Sequence, residues 1–230
     1  MKQLQLVLLP GMDGTGKLFE PLLRILPKEI QAKAVAYPES LKSFAQYVQF
    51  ACHEVSAAGD VLLVAESFSG PIAVAVLRNP PPNLRAIVLV ATFAKTPRAF
   101  LRRLSMMVPG ALIRAFAPAA IKLFCANGNA YEQVVRCAAG VVSHLPTEML
   151  RERLKLLSEL PSDLKSVLEQ SSLPILILEP AHDQLVPESS FLSVGLRSSA
   201  KVKKIAGPHF LLQCCPKECW SEIEAFLEKL

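Results

Sequence analysis

The chain has 230 residues, 51% of them hydrophobic and 20% charged, a globular composition that suits one sizeable core and would cramp two domains. Its net charge of +5 comes from scattered basic residues, and aromatics make up only 7%, so neither a basic recognition helix nor a stacking platform for nucleic acid is expected. No apolar run reaches membrane-spanning length; the richest, residues 106–126, is broken by Pro109, Gly110, Arg114, Pro118 and Lys122.

The apolar stretch after Lys2 is too short for a signal peptide and runs straight into Pro10-Gly11, so residues 5–9 read as a buried first strand. A glycine-rich turn follows, Pro10-Gly11-Met12-Asp13-Gly14-Thr15-Gly16, and then a helix over 17–26 closed by Pro27. Residues 32–37 read as a second strand closed by Pro38. Ser40 is the expected cap of a helix running to about Ala57, with Phe44, Val48 and Ala51 at helical spacing. Gly59-Asp60 turns into a third strand, 61–65.

That strand ends in small residues around Ser67 and passes into a helix from Pro71, with proline tolerated in the first turn. A serine at such a strand-to-helix turn is held in a strained conformation, its hydroxyl above the carboxyl edge of the sheet. The N–H of the next residue, Phe68, sits at the helix N-terminus, where negative charge is stabilised. Asn79 to Asn83 is a stop rich in proline, and 84–90 reads as the fourth strand.

Strand and helix alternate to this point, which predicts a parallel sheet covered on both faces. The alternation then pauses. Residues 94–172 read as helices separated by Pro109-Gly110, Pro118, Asn127-Gly128-Asn129, Pro146 and Pro161. We expect them to form a helical cap inserted after the fourth strand, with 1–93 and 173–230 as the core of a single domain. Within the cap, Met106, Met107, Val108, Leu112, Ile113, Phe116, Ile121, Leu123 and Phe124 read as core, some of them available to line a pocket over the strand ends. Lys95, Arg98, Arg102 and Arg103 read as a solvated helix face. The strand pattern resumes at Ile175, a helix is expected from Pro187, 201–205 suits a sheet edge, and the last helix spans about 216–230.

Three strand ends carry candidate chemistry. Ser67 follows the third strand, Asp183 the fifth, and His209 the sixth. In a parallel sheet all three lie on one edge, where ligands of such sheets bind. A serine hydroxyl is a poor nucleophile until a histidine accepts its proton, and an acid must orient that histidine. Two backbone donors for the tetrahedral oxyanion are expected from the Phe68 N–H and the Met12 N–H of the glycine turn. His182 is a rival base beside Asp183; His53 and His144 read as structural or exposed. Glu66 is expected to pack or bond behind the turn, and Ser69 to be a small packing residue.

With these pieces the chain resembles the α/β-hydrolase superfamily, in its small serine esterase branch. The matching pieces are Leu9 to Gly16, Ser67 in its turn, Asp183-Gln184-Leu185-Val186-Pro187, and Gly207-Pro208-His209. The first, with Glu66-Ser67-Phe68, also resembles the hydrolase-like part of plant phytyl ester synthases. The resemblance implies a mostly parallel sheet of about six strands. It also implies a Ser67–His209–Asp183 triad cleaving carboxylic esters, with a small-molecule ester as partner and neither metal nor organic cofactor. The usual G-x-S-x-G is altered here to Ala65-x-Ser67-x-Ser69; both replacements are small enough for the turn to form with modest strain.

An acyltransferase using the same triad and a non-catalytic binding protein of this fold are the alternatives. Gly11 to Lys17 also nearly fits a phosphate-binding G-x-x-x-x-G-K-[ST] loop, but Leu18 stands where a hydroxyl would bind magnesium. The six cysteines, Cys52, Cys125, Cys137, Cys214, Cys215 and Cys219, match no zinc spacing. They are expected as free thiols in a reducing compartment, consistent with a cytoplasmic location.

Overall fold

The architecture is that of a computed structural model, which describes residues 4–93, 119, 121–126, 131–190, 193, 196 and 200–230. Six strands form one sheet: β1 (Gln5–Leu9), β2 (Gln31–Ala34), β3 (Val61–Glu66), β4 (Leu84–Val90), β5 (Ile175–Pro180) and β6 (Lys201–Ile205). Their order is β2-β1-β3-β4-β5-β6, and every neighbouring pair is parallel. The central strands are apolar on both sides because helices cover both faces.

Alternate side chains divide between two cores. Val7, Leu9, Leu63, Ala65, Ile87, Leu89, Ile175 and Ile177 point to one face. There they meet Tyr47 and Val55 of α2 (Phe44–Ser56), Ile72 of α3 (Ser69–Val76), and Leu164 and Leu168 further along the chain. Leu6, Leu8, Leu62, Val64, Val88, Leu176 and Leu178 point to the other face. Their cover is Leu22 of the short helix α1 (Glu20–Leu23) together with Leu212, Trp220, Ile223 and Phe226 near the C-terminus. β6 is exposed along Lys201 to Lys204, and lysines on an edge strand discourage pairing with another chain.

After β4 the described residues contain a π-helical turn (Ile121–Cys125) and helices α4 (Glu132–Ser143), α5 (Thr147–Ser158) and α6 (Leu164–Gln170). Leu145, Met149 and Leu150 pack against Met12 of the glycine turn. Ile121, Val135 and Ala138 cluster with Phe210 beside the histidine loop. The apolar run Met106 to Phe116 and the basic cluster from Lys95 to Arg103 lie outside the described residues. Leu123 is exposed, whereas Ile121 is buried.

Several boundaries differ from the sequence reading. The segment after Gly16 is a 3-10 turn (Lys17–Phe19) followed by the single-turn α1, because the left-handed Gly16 and the proline at the start of α1 leave little room for more. β2 stops at Ala34, since the Tyr37 N–H leaves the ladder to donate to Gly14 O at 2.8 Å. Ser43, not Ser40, caps α2 in a reciprocal capping box with Gln46. The helix expected from Pro187 is one 3-10 turn (Glu188–Ser190). The C-terminal segment contains α7 (Leu211–Cys214) and α8 (Pro216–Leu227). No described helix is long and apolar enough to cross a membrane.

Candidate active site

Ser67 sits between β3 and α3 with φ of 48°, the left-handed region that a side chain adopts only under local constraint. The constraints are visible. Its N–H donates to Val90 O at 2.9 Å, which continues the β3–β4 ladder into the turn. Its carbonyl accepts from the Gly70 N–H at 3.0 Å and from the Thr92 hydroxyl at 2.8 Å. From Val61 to Leu77 every residue is buried except Ser67.

The two altered positions of the turn behave differently. Ala65 is fully buried in the sheet core. Ser69 is also fully buried, but it does more than pack: its hydroxyl donates to Pro10 O and shares a 2.6 Å hydrogen bond with the Tyr37 hydroxyl. It ties the start of α3 to the glycine turn. Close approach of helix and strand falls one residue later, at Gly70, where a Cβ would overlap the Thr92 side chain.

Asp183 and His209 come from adjacent loops that the backbone stitches together. Ala181 N–H donates to Ile205 O at 2.8 Å and His182 N–H to Gly207 O at 3.0 Å, extending the β5–β6 pairing past the strand ends. Gly207 allows the histidine loop to settle on the following helices; a Cβ there would lie 2.7 Å from Cys215 Sγ. The Asp183 carboxylate is oriented by the Leu185 and Val186 N–H groups, both 2.8 Å from Oδ1. Its other oxygen lies 2.7 Å from His209 Nδ1, and His209 Nε2 lies 2.9 Å from Ser67 Oγ. A carboxylate can only accept, so Nδ1 carries the proton and Nε2 presents a lone pair to the serine hydroxyl.

Electrostatics favour a basic imidazole. Burial alone lowers the His209 pKa, but the Asp183 charge and hydrogen bond, helped by Glu66, outweigh it and hold the group above its ordinary value. His182 is exposed beside Asp183, and His53 and His144 are exposed elsewhere.

The glycine turn reaches the serine directly. A Cβ built on Gly11 would lie 3.9 Å from Ser67 Cβ. Gly11 O accepts from the Gly14 N–H at 3.1 Å. In a trans peptide the N–H points opposite to the preceding C=O, so the Met12 N–H faces away from that bond. The same geometry applies one turn over. Ser67 O is held by Thr92 and Gly70, and the Phe68 N–H faces the other way. Each N–H therefore sits on a peptide whose carbonyl is already pinned.

Sequence reasoning missed several supporting residues. Arg153 of α5 is a fully buried cation whose Nη1 donates to Met12 O at 2.9 Å and to Asp13 O at 2.6 Å. In the sequence it stands among Arg151 and Lys155 and reads as one more solvated charge. Gln213 of α7 donates to Glu66 Oε2 at 3.1 Å behind the serine. Tyr37 stands at the end of the expected second strand, and no motif marks Thr92. No sequence spacing joins any of these to the site. Gly14 alone leaves a trace, because a Cβ there would overlap the Arg153 guanidinium.

The fold has many solved counterparts. A hydrolase from Oleispira antarctica superposes with a TM-score of 0.83 at 15% identity, covering 100% of this chain and 92% of its own. An enol-lactonase from Burkholderia xenovorans LB400 gives 0.81 at 14% identity over 99% and 92%. An esterase from Rhodococcus sp. ECU1013 gives 0.79 at 16% identity over 98% and 90%. No protein-family model and no curated protein matches the sequence. At these identities the likeness speaks for architecture, and that architecture is the fold of the α/β-hydrolase superfamily.

Proposed function

We propose that this protein is a serine hydrolase that cleaves carboxylic esters through an acyl-enzyme intermediate. The observation that carries this reading is the unbroken chain from Ser67 Oγ through His209 to Asp183, with steps of 2.9 and 2.7 Å, on a serine in the left-handed region. Ser67 Oγ attacks the ester carbonyl while His209 Nε2 takes its proton. The Met12 and Phe68 N–H groups hold the tetrahedral oxygen anion. Collapse breaks the bond to the alcohol, which leaves with the proton from His209. A water then loses a proton to His209 and attacks the acyl carbon; collapse breaks the bond to Ser67 Oγ, which takes that proton back from His209, and releases the acid. Asp183 keeps the imidazole oriented throughout.

Residues 94–172 are proposed as a cap over this edge. Support comes from the packing of Met149 and Leu150 against Met12 and of Val135 beside Phe210. The apolar character of the insertion favours small or medium apolar esters. Hydrolases and esterases among the structural neighbours are consistent with this chemistry. Six unpaired thiols favour a reducing compartment, and we assign the protein to the cytoplasm.

The test is labelling with a fluorophosphonate and turnover of a p-nitrophenyl ester series. Ser67→Ala is expected to abolish both. Failure to label Ser67 in folded protein would remove the hydrolase reading. Product analysis with competing alcohols separates hydrolysis from acyl transfer to an alcohol.

A further inference from the structure

We infer that Arg153 is a positioning residue for the oxyanion turn, so that a helix of the insertion builds part of the catalytic site. This rests on the serine hydrolase reading above. Arg153 is 1% exposed, yet among the described residues no carboxylate lies within ion-pair distance of it. An unpaired cation is costly to bury unless strong acceptors surround it. Its acceptors are Met12 O, Asp13 O and the Tyr47 hydroxyl, the last at 3.1 Å from Nε. The Tyr37 ring lies against the guanidinium, with its centroid 6.0 Å away. The turn is shaped to receive this group: Gly14, at φ of 66°, leaves open the space that a Cβ would take from the guanidinium.

Space filling alone does not account for the arrangement. An apolar side chain of similar length could occupy the same volume, but it would leave two carbonyls of the glycine turn buried without donors. The relevant detail is which carbonyls they are. Met12 lies between two peptide planes. The one before it is pinned at Gly11 O by the Gly14 N–H. The one after it is pinned at Met12 O by Arg153. The Met12 N–H belongs to the first plane, and its anchor is the Gly14 N–H; that N–H shares a peptide with Asp13 O, which Arg153 also holds. Without Arg153 the Asp13–Gly14 peptide is free to turn, the Gly14 N–H loses its aim at Gly11 O, and the peptide that carries the Met12 N–H loses its anchor. The guanidinium also places positive charge beside the turn where the oxyanion would form, in an interior that screens poorly.

The role predicts a loss in kcat at nearly constant KM, because the ground-state ester carbonyl depends little on the donor that the tetrahedral oxygen needs. Arg153→Met is expected to lower kcat for p-nitrophenyl butyrate by at least about tenfold, with KM within about twofold, since a misaligned donor forfeits part of what a deleted one would. Fluorophosphonate labelling of Ser67 should slow in parallel. Arg153→Lys keeps the charge but replaces the rigid fork with a single ammonium, and its kcat should fall between the two. Circular dichroism and a cooperative thermal transition establish that each variant is folded.

A folded Arg153→Met protein with lowered Tm and wild-type kcat would overturn the inference and leave Arg153 a packing residue. Should Arg153→Met not fold, Arg153→Lys decides: a kcat at least about threefold below wild type at constant KM supports the role, and wild-type kcat overturns it. The parent reading is judged separately, on wild-type protein and Ser67→Ala. If wild type neither labels nor turns over ester, the hydrolase reading fails and this inference falls with it.

Discussion

Replacing Glu66 by glutamine isolates the cost of one buried carboxyl behind the serine. Glu66 is 4% exposed, and its Oε2 accepts from Gln213 Nε2. Among the described residues, neither Glu66 Oε1 nor Gln213 Oε1 has a hydrogen-bond partner. Burial pushes the Glu66 pKa up to about 7 from 4.5; the Gln213 hydrogen bond and His209 oppose the rise, and Asp13 adds to it. The folded protein thus holds this proton more tightly than the unfolded chain. The stability it contributes is complete below pH 4.5 and is lost as pH rises through about 7. At about 1.4 kcal/mol per pH unit, the interval amounts to roughly 3 kcal/mol.

Glutamine keeps the shape and the acceptor for Gln213, carries no titrating proton, and puts a donor in place of the bare Glu66 Oε1 beside the bare Gln213 Oε1. Glu66→Gln should therefore match wild type near pH 4.5 and exceed it by roughly 2–3 kcal/mol above pH 8. For a chain of this length that corresponds to roughly 5–10 °C in Tm. The assay is urea and thermal unfolding of both proteins between pH 4.5 and 8.5. Titrations common to the two proteins cancel in their difference. Parallel stability profiles across that range would refute the reasoning, because they would mean that Glu66 titrates alike in the folded and unfolded chains. The variant also removes a negative charge that raises the His209 pKa, so the rising limb of its pH–rate profile should move to lower pH.

Other outcomes follow from single contacts. Ser69→Ala leaves Pro10 O and the Tyr37 hydroxyl without their shared partner and should cost roughly 2–3 kcal/mol in urea unfolding; an unchanged midpoint would contradict the hydrogen bonding described. Gly70→Ala drives a Cβ into Thr92, whose hydroxyl supports Ser67 O. It should destabilise by about 3 kcal/mol, whereas Gly59→Ala, with open space around it, should fold with a wild-type Tm. Asp183→Asn should preserve the fold and lower ester turnover by about 10⁴-fold. The wild-type pH–rate profile should rise with a midpoint above 6.5, because Asp183 and Glu66 hold His209 above that value; a midpoint below 6.5 would mean that burial prevails.

Much of the architecture was legible because its signals are local. Continuous apolar runs of strand length bounded by proline and glycine mark β1, β3, β4 and β5, and β4 spans the residues that the pattern predicts. Boundaries failed where a distant partner sets them. β2 is cut short because the Tyr37 N–H turns to Gly14 O, far back in the chain; the start of α2 at Ser43 is instead set locally, by the capping box with Gln46. The reading of Ser69 as a packing residue was incomplete for a related reason: its two hydrogen-bond partners, Pro10 and Tyr37, lie 59 and 32 positions away in the chain.

The sequence by itself determined a parallel sheet and the order in which a serine, an acid and a histidine follow its strands. Alternating apolar segments admit few other arrangements, and parallel strands bring their carboxyl ends to one edge. Tertiary structure alone decided what holds that edge in shape. Arg153 and Gln213 reach the site from helices remote in sequence, and they matter because burial removes the water that would otherwise satisfy Met12 O, Asp13 O and Glu66. A buried charge and a surface charge are the same letter in a sequence; only packing distinguishes them.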